Sequence, residues 1–483
     1  MHALASVLLA VVLSTDVAPP PTKPKPRLGR ALLETAATLA LGTGWYWANT
    51  DLNREDWELD WDLPSWNKKL FTREGIRFDS NAFDINAVKH PFGAAVLYQV
   101  GRENGYGPFG ASVLTLGSSL LWEYVVEFKE IVSANDIVVN VAAGLGLAEP
   151  LYQLGEHFRR GRDNPARMVA RAIVTPVGSL HDAFEDRGRA FATGSWTRFR
   201  LAAGPTVAHV DGEGRDEMTA GVDLSLIVPS YVGRPLDRST TIGPGAWTRI
   251  VGQVRLGDGP AGSSFVGTRV RTQSTLWGRH TQRFTAPDSG WGRLLAIGSA
   301  FEYDTRRLPL EWDQVAAMHV IGPQIELTSY VGSWTLRAEA AAWTDFSLVQ
   351  AHALGPFFRP LEEGPPFSST VLGRGYYYGL GGTAMARLSA ERRGFDVDLE
   401  ARELRAWSID GFDRDSAMED APAVPTDLAD HRLWAKGGAA WRPWDGALGF
   451  TGTVEAVLRS GTARNLSRQT TEQTMMLGVV VDM

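Results

Sequence analysis

Residues 395–402 read Phe-Asp-Val-Asp-Leu-Glu-Ala-Arg. Successive side chains of a strand point to opposite faces. Phe395, Val397, Leu399 and Ala401 therefore share one face, and Asp396, Asp398, Glu400 and Arg402 share the other. A water-soluble sheet can produce this pattern once. Here the period-two rhythm recurs from about residue 195 almost to the last residue, divided by turn residues. That repetition predicts a transmembrane β-barrel, apolar outside and charged inside.

Working outward, strands are predicted near 195–209, 216–229, 246–257, 263–276, 290–303, 314–330, 333–346, 376–391, 394–408, 431–443, 447–459 and 471–483. The sum is about twelve, an even number as in bacterial barrels. Arg249, Gln253 and Arg255 alternate with Ile250, Val254 and Leu256. Arg249, Arg255, Arg269, Arg271, Arg337 and Glu339 are read as salt bridges that fill the bore. The connections 331–332, 393–394 and 443–446 are short, whereas 347–375, 409–430 and 460–470 are long. Short turns on one side and long loops on the other fit a barrel, but the connection after the second strand is long where a short turn is expected. Glu403 breaks its strand's alternation and is read as a bulge.

Composition agrees. The chain has 483 residues, 51 Gly and 17 Trp, which suit tight turns and aromatic girdles. Its net charge of −7 offers no basic footprint for nucleic acid. The lack of cysteine excludes disulfides, thiolate metal sites and a lipid anchor on Cys. Ala3–Leu13 is an apolar run too short to span a bilayer, although the residues before it lack Lys and Arg. It is followed by a Pro-rich basic stretch. The expected order is a signal peptide (1–18), a spacer (19–29), an α-helical domain (30–163), a linker (164–193) and the barrel (194–483). The fold class is thus α+β. No segment after the signal reads as a membrane helix, because 35–50 and 104–122 are rich in Gly, Ser, Thr or Asn.

The helical domain carries the candidate site. Helices are predicted over 30–49, 87–102, 108–128 and 133–160, with 51–66 an irregular acidic segment. His90, Arg102, Glu123, Glu127, Asp136, Asn140 and Glu149 sit within apolar runs. Glu123 and Glu127 are four apart, as are Asp136 and Asn140, so each pair shares a helix face. Acids in such runs must be paired or bound to something. The leading reading is a structural ion-pair network, followed by a ligand or lipid-headgroup site and then a catalytic site. The spacing matches no metal motif, so no metal or cofactor is assigned. Gly144–Leu145–Gly146 is read as a helix-packing signal.

The stretch from Asn86 to Tyr152 resembles an uncharacterised family of bacterial envelope proteins defined by a domain of unknown function. The residues that carry the resemblance are His90–Pro91, Tyr98, Arg102–Asn104–Gly105, Trp122–Glu123–Tyr124, Glu127, Ser133–Asn135–Asp136, Asn140, Gly144 and Glu149. Two positions depart from the pattern. Gly93 stands where a second His is common, and Ala148 stands where Gly precedes the late acid. The resemblance implies a cell-envelope protein and supplies no activity.

The expectation is an outer-membrane barrel with a helical domain on the periplasmic side or plugging the lumen, in a transport or structural role. An envelope enzyme or lipid-handling protein using the helical cluster is the alternative. Membrane lipid is the expected partner, with lipopolysaccharide and small solutes as further candidates.

Overall fold

The computed structural model describes residues 25–49, 59–60, 62–79, 81–159, 165–185, 196–227, 238–257, 265–286, 288–308, 312–357, 370–409, 427–443 and 446–482. The expected signal peptide, residues 19–24 of the spacer, most of the acidic segment and residues 186–193 of the linker lie outside these.

The barrel closes with twelve staves. They are β1 (Trp196–Val210), β2 (Glu213–Ile227), β3 (Arg238–Ile242 and Trp247–Gly257), β4 (Phe265–Ala286), β5 (Ser289–Arg307), β6 (Trp312–Val331), β7 (Trp334–Gln350), β8 (Tyr376–Arg392), β9 (Phe395–Ser408), β10 (Leu428–Trp441), β11 (Leu448–Ala463) and β12 (Leu466–Asp482). Every neighbour is antiparallel, and β12 closes on β1. The two pieces of β3 pair with successive stretches of β4, Gly278–Gln282 and Phe265–Ser274. That break accounts for the long connection after the second strand, because part of it is wall. Two expectations fail here. Residues 464–465 form a two-residue turn, with Arg464 at φ 52°, where a long loop was expected. Glu403 pairs in register with Ala384 without a bulge. It faces outward and pairs with Arg405 and His431.

The bore is filled. Arg249 reaches Asp223 at 2.8 Å and, across the lumen, Glu400 at 2.9 Å. Arg255 and Arg269 meet on Glu455, and Arg432 joins Asp304 to Asp313. Arg337 faces Glu391, and Glu339 accepts from Gln273. Strands this far apart around the wall can meet only inside it. The end where β1 begins and β12 finishes, here called proximal, is crossed by Arg198, Arg200 and Arg442 on Asp396 and Asp482. At the opposite, distal end, the segment His352–Phe357 folds inward. It lies against an apolar cluster of Val315, Ala317, Val349, Tyr377 and Leu404. A cavity of 130 Å³ remains among the arginines.

The helical region contains α1 (Leu28–Asn49), α2 (Leu63–Phe71), α3 (His90–Glu103), α4 (Pro108–Leu121), α5 (Ala134–Ala143), α6 (Glu149–Arg159), α7 (Pro165–Val174) and α8 (Pro176–Phe184). Helix α2, capped by Asp62 accepting from the Ser65 N–H at 2.9 Å, occupies the end of the segment read as irregular. Helices α7 and α8 occupy much of the expected linker. A widened π-type turn, Gly144–Ala148, joins α5 to α6 into one rod of 26 residues, about 39 Å long.

This helical layer neither plugs the lumen nor stands apart as a periplasmic domain. Glu302, Thr383 and Asp345 point into the bore, so their neighbours Phe301, Phe346 and Tyr378 point out of it. Those outward residues, with Met318, Leu348 and Tyr376, form one core with Phe78, Phe83, Ala87, Val139 and Leu147. At the other end of the rod, Leu154 packs on outward Phe199, Leu224 and Leu226. The helices therefore lie on the outer wall and cross it from distal β6–β8 to proximal β1–β2. The plug reading fails because the arginine lattice already occupies the bore.

The layer is also inverted in polarity. On α4 the buried residues are Ala111, Ser112, Thr115, Ser118 and Ser119, while Phe109, Val113, Leu116, Leu120 and Leu121 are exposed. On α7, Arg167 and Arg171 are buried and Met168, Val169 and Ile173 are exposed. A helix facing water buries its apolar stripe instead. By length and composition, Pro108–Val126 and Ala134–Arg159 are both long and apolar enough to cross a membrane. Within the first of these, Ser112, Thr115, Ser118 and Ser119 are turned inward.

Candidate functional site

The sequence candidates separate into three groups. At the distal end, a π-type turn at Ile85–Lys89 leads into α3 and places Asn86 and His90 one turn apart. Residues Ile76–Arg77 run parallel to Val132–Ser133, which brings Asp79 beside the first turn of α5. There Asn135 bridges: its side-chain oxygen accepts the Asp79 N–H at 2.9 Å, and its amide reaches Asp136 at 2.7 Å. The Asp79 carboxylate accepts from Asn86 at 2.7 Å, Asn135 at 3.1 Å and the Tyr378 hydroxyl at 2.8 Å, and from Asn81. His90 Nε2 lies 3.4 Å from Asp136 Oδ2. Asp79, His90 and Asp136 each offer a ligand atom, all within 4.8 Å of one another.

Glu123, on a second π-type turn, borders this group and accepts the Ser133 N–H at 2.8 Å. Glu127 follows it. The Lys69 ammonium donates to the backbone carbonyls of Glu127 and Glu130, each at 2.7 Å.

The second group is remote from the first. Arg102 donates two hydrogen bonds to Glu149, at 2.8 and 3.1 Å, and Tyr98 and Gln153 donate to the same carboxylate. It has every feature of a structural pair. In the third, Asn140 donates to the Ser119 hydroxyl at 2.9 Å and ties α5 to α4. The expected single network therefore divides along the helix axes. Gly144 abuts Tyr98, and Gly146 lies so close to the β5 backbone that a Cβ would overlap the Ala300 carbonyl.

The residues missed from sequence are Asp79, Asn86, Tyr376 and Tyr378. Asp79 lies outside any periodic helix. The unusual triplet Tyr376–Tyr377–Tyr378 was the available signal, since alternate tyrosines of one strand share a face. Tyr377 turns inward to Asp430, while its neighbours bond Asn86 from outside.

Fold and site together define a transmembrane β-barrel with a closed bore and a helical layer mounted on its wall. Residues 75–177, which hold all three groups, match a family described as a domain of unknown function (DUF3943). No curated protein matches the chain. Solved structures similar to it include the translocator domain of the autotransporter NalP from Neisseria meningitidis, at 11% identity over 60% of this chain and 89% of that one, with a TM-score of 0.19. The β domain of the Bordetella autotransporter BrkA is 9% identical over 60% of this chain and all of that one, with a TM-score of 0.23. An anion-selective porin from Comamonas acidovorans is 9% identical over 60% of this chain and all of that one, with a TM-score of 0.18. At these scores the likeness says nothing about what this chain does.

Proposed function

We propose that this is an outer-membrane protein whose working surface is its lipid-facing flank. The barrel serves as a rigid wall. The helical layer lies against it in the bilayer, keeps its polar groups toward the protein and presents aliphatic side chains to envelope lipid. One observation carries this reading: the helices dock on the outside of the barrel with polar residues inward and Leu116, Leu120 and Ile173 outward. Hydrocarbon favours that polarity and water opposes it. Leu388, Leu399, Leu433, Val454 and Leu477 are likewise exposed on the outer face of the barrel. A lipid-handling role fits better than solute passage, because a conducting bore needs a continuous wet path and this one is crossed by ion pairs and a dry distal cluster. In such an orientation the proximal end, which holds both ends of the barrel chain, faces the periplasm.

The absence of native cysteine makes the test direct. Single cysteines at Leu116, Leu120 and Lys68 are labelled with a fluorophore in protein reconstituted into vesicles. Nitroxide lipids are expected to quench the labels at 116 and 120, and not the one at 68. Labels at 116 and 120 that respond only to a water-borne quencher would overturn the reading. So would steady single-channel conductance of the wild type in planar bilayers.

A further inference from the structure

We infer that Asp79, His90 and Asp136 form a binding site for one divalent transition cation, Zn2+ or Mn2+. The inference rests on local geometry and stands whether or not the helices lie in lipid.

The donors are an imidazole and two carboxylates, a set that suits such cations. Two atoms bound to one ion at about 2.0–2.2 Å lie roughly 3 Å apart. The 3.4 Å between His90 Nε2 and Asp136 Oδ2 is close to that, and it is not bridged by a hydrogen bond. Small movements within the 4.8 Å group would complete the set.

The surroundings resemble a metal site's outer shell, in which fixed donors hold each ligand in place. Asn135 holds both aspartates, and Tyr378 and Asn86 hold Asp79. A plain ion pair between His90 and Asp136 would not need Asp79, a second acid brought from another segment and buried against the first. An independent observation points the same way. Asn86 is wholly buried and gives its amide nitrogen to Asp79, Tyr376 and Tyr378, yet its side-chain oxygen has no hydrogen-bond partner. It lies on the same helix face as His90, one turn away, and touches Asp79. A buried acceptor left open in this way leaves room for a water or an ion.

A bound cation would tie three segments together: the 76–79 bridge, the start of α3 and the start of α5. Its role is to staple the distal end of the helical layer on the wall.

The experiment uses the full-length protein in detergent, treated with chelator, dialysed, and titrated with Zn2+ or Mn2+ by calorimetry. One equivalent is expected to bind saturably and to raise the unfolding temperature of the helical layer. His90→Gln and Asp136→Asn, which keep side-chain volume, are expected to weaken binding about tenfold or more. His431→Gln, on the barrel wall beside Glu403, is expected to leave it unchanged. If His90→Gln misfolds, the wild-type titration still decides. Absence of saturable binding at millimolar metal, or wild-type affinity in both His90→Gln and Asp136→Asn, overturns the proposal.

Discussion

Arg249 on β3 and Glu400 on β9 face each other across the bore at 2.9 Å. They belong to strands that are not neighbours in the sheet, so this contact can exist only if the barrel is closed and its centre occupied.

Arg249→Ala takes the shared guanidinium from buried Glu400 and half-buried Asp223. Removing one partner of a buried pair costs about 3–5 kcal/mol. Urea titration of the protein folded in vesicles should show that loss. The double variant R249A/E400A should lose less than the sum of the single variants, because it leaves fewer unpaired charges.

Gly146→Val places a branched side chain where the helical rod meets the Ala300 carbonyl. Overpacking of this kind costs about 1–3 kcal/mol. The barrel should still form, as judged by heat-modifiable migration on gels. The helical layer should become sensitive to protease at lower temperature than in the wild type.

Tyr378→Phe removes a hydroxyl that donates to Asp79 at 2.8 Å and accepts from Asn86 at 2.5 Å. Both partners are buried, so the loss should be about 1–3 kcal/mol. Tyr376→Phe should behave similarly and more mildly, since its hydroxyl donates to the Asn81 carbonyl at 2.7 Å and does not bond Asp79. Thermal melts followed by near-ultraviolet dichroism would separate the two.

Leu116→Arg distinguishes hydrocarbon from water around the helices. Near the centre of a lipid-facing helix an arginine costs about 2.5–3.5 kcal/mol. On a water-facing surface the same change stays within about 0.5 kcal/mol. The fraction assembled in the outer membrane, with Leu116→Ala as reference, reads out the difference.

The barrel was legible because period two survives in each strand. At Phe395–Arg402 the residue types alone assign inward and outward faces, and burial follows them. The acids of the helices were legible as a problem, since Glu123 and Asp136 in apolar runs need partners. Which partners was not legible. Periodicity places Arg102 and His90 on one helix, about 18 Å apart along its axis, but names no partner on the neighbouring helices, so two ends of a bundle read as one network. The position of the layer was hidden for a related reason. An apolar face on a helix says that it is covered, not whether protein or lipid covers it. The residues that settle this, Phe301, Phe346 and Tyr378, look like any outward strand residues until a helix is found against them. The distal plug was missed because a loop that folds into a bore has no pattern of its own.

The ordering of this chain has a consequence for its journey through the cell. On the proposed placement in the outer membrane, the helices are made before the wall that receives them and cross another membrane on the way. Ser112, Thr115, Ser118 and Ser119 sit inside Pro108–Val126. They lower the apolar character of the segment while it is alone. Once Asn140 bonds Ser119 and α3 and α5 cover the rest of that face, the same helix shows only its aliphatic side. Docking thus converts a passenger into a resident, and the barrel supplies the address.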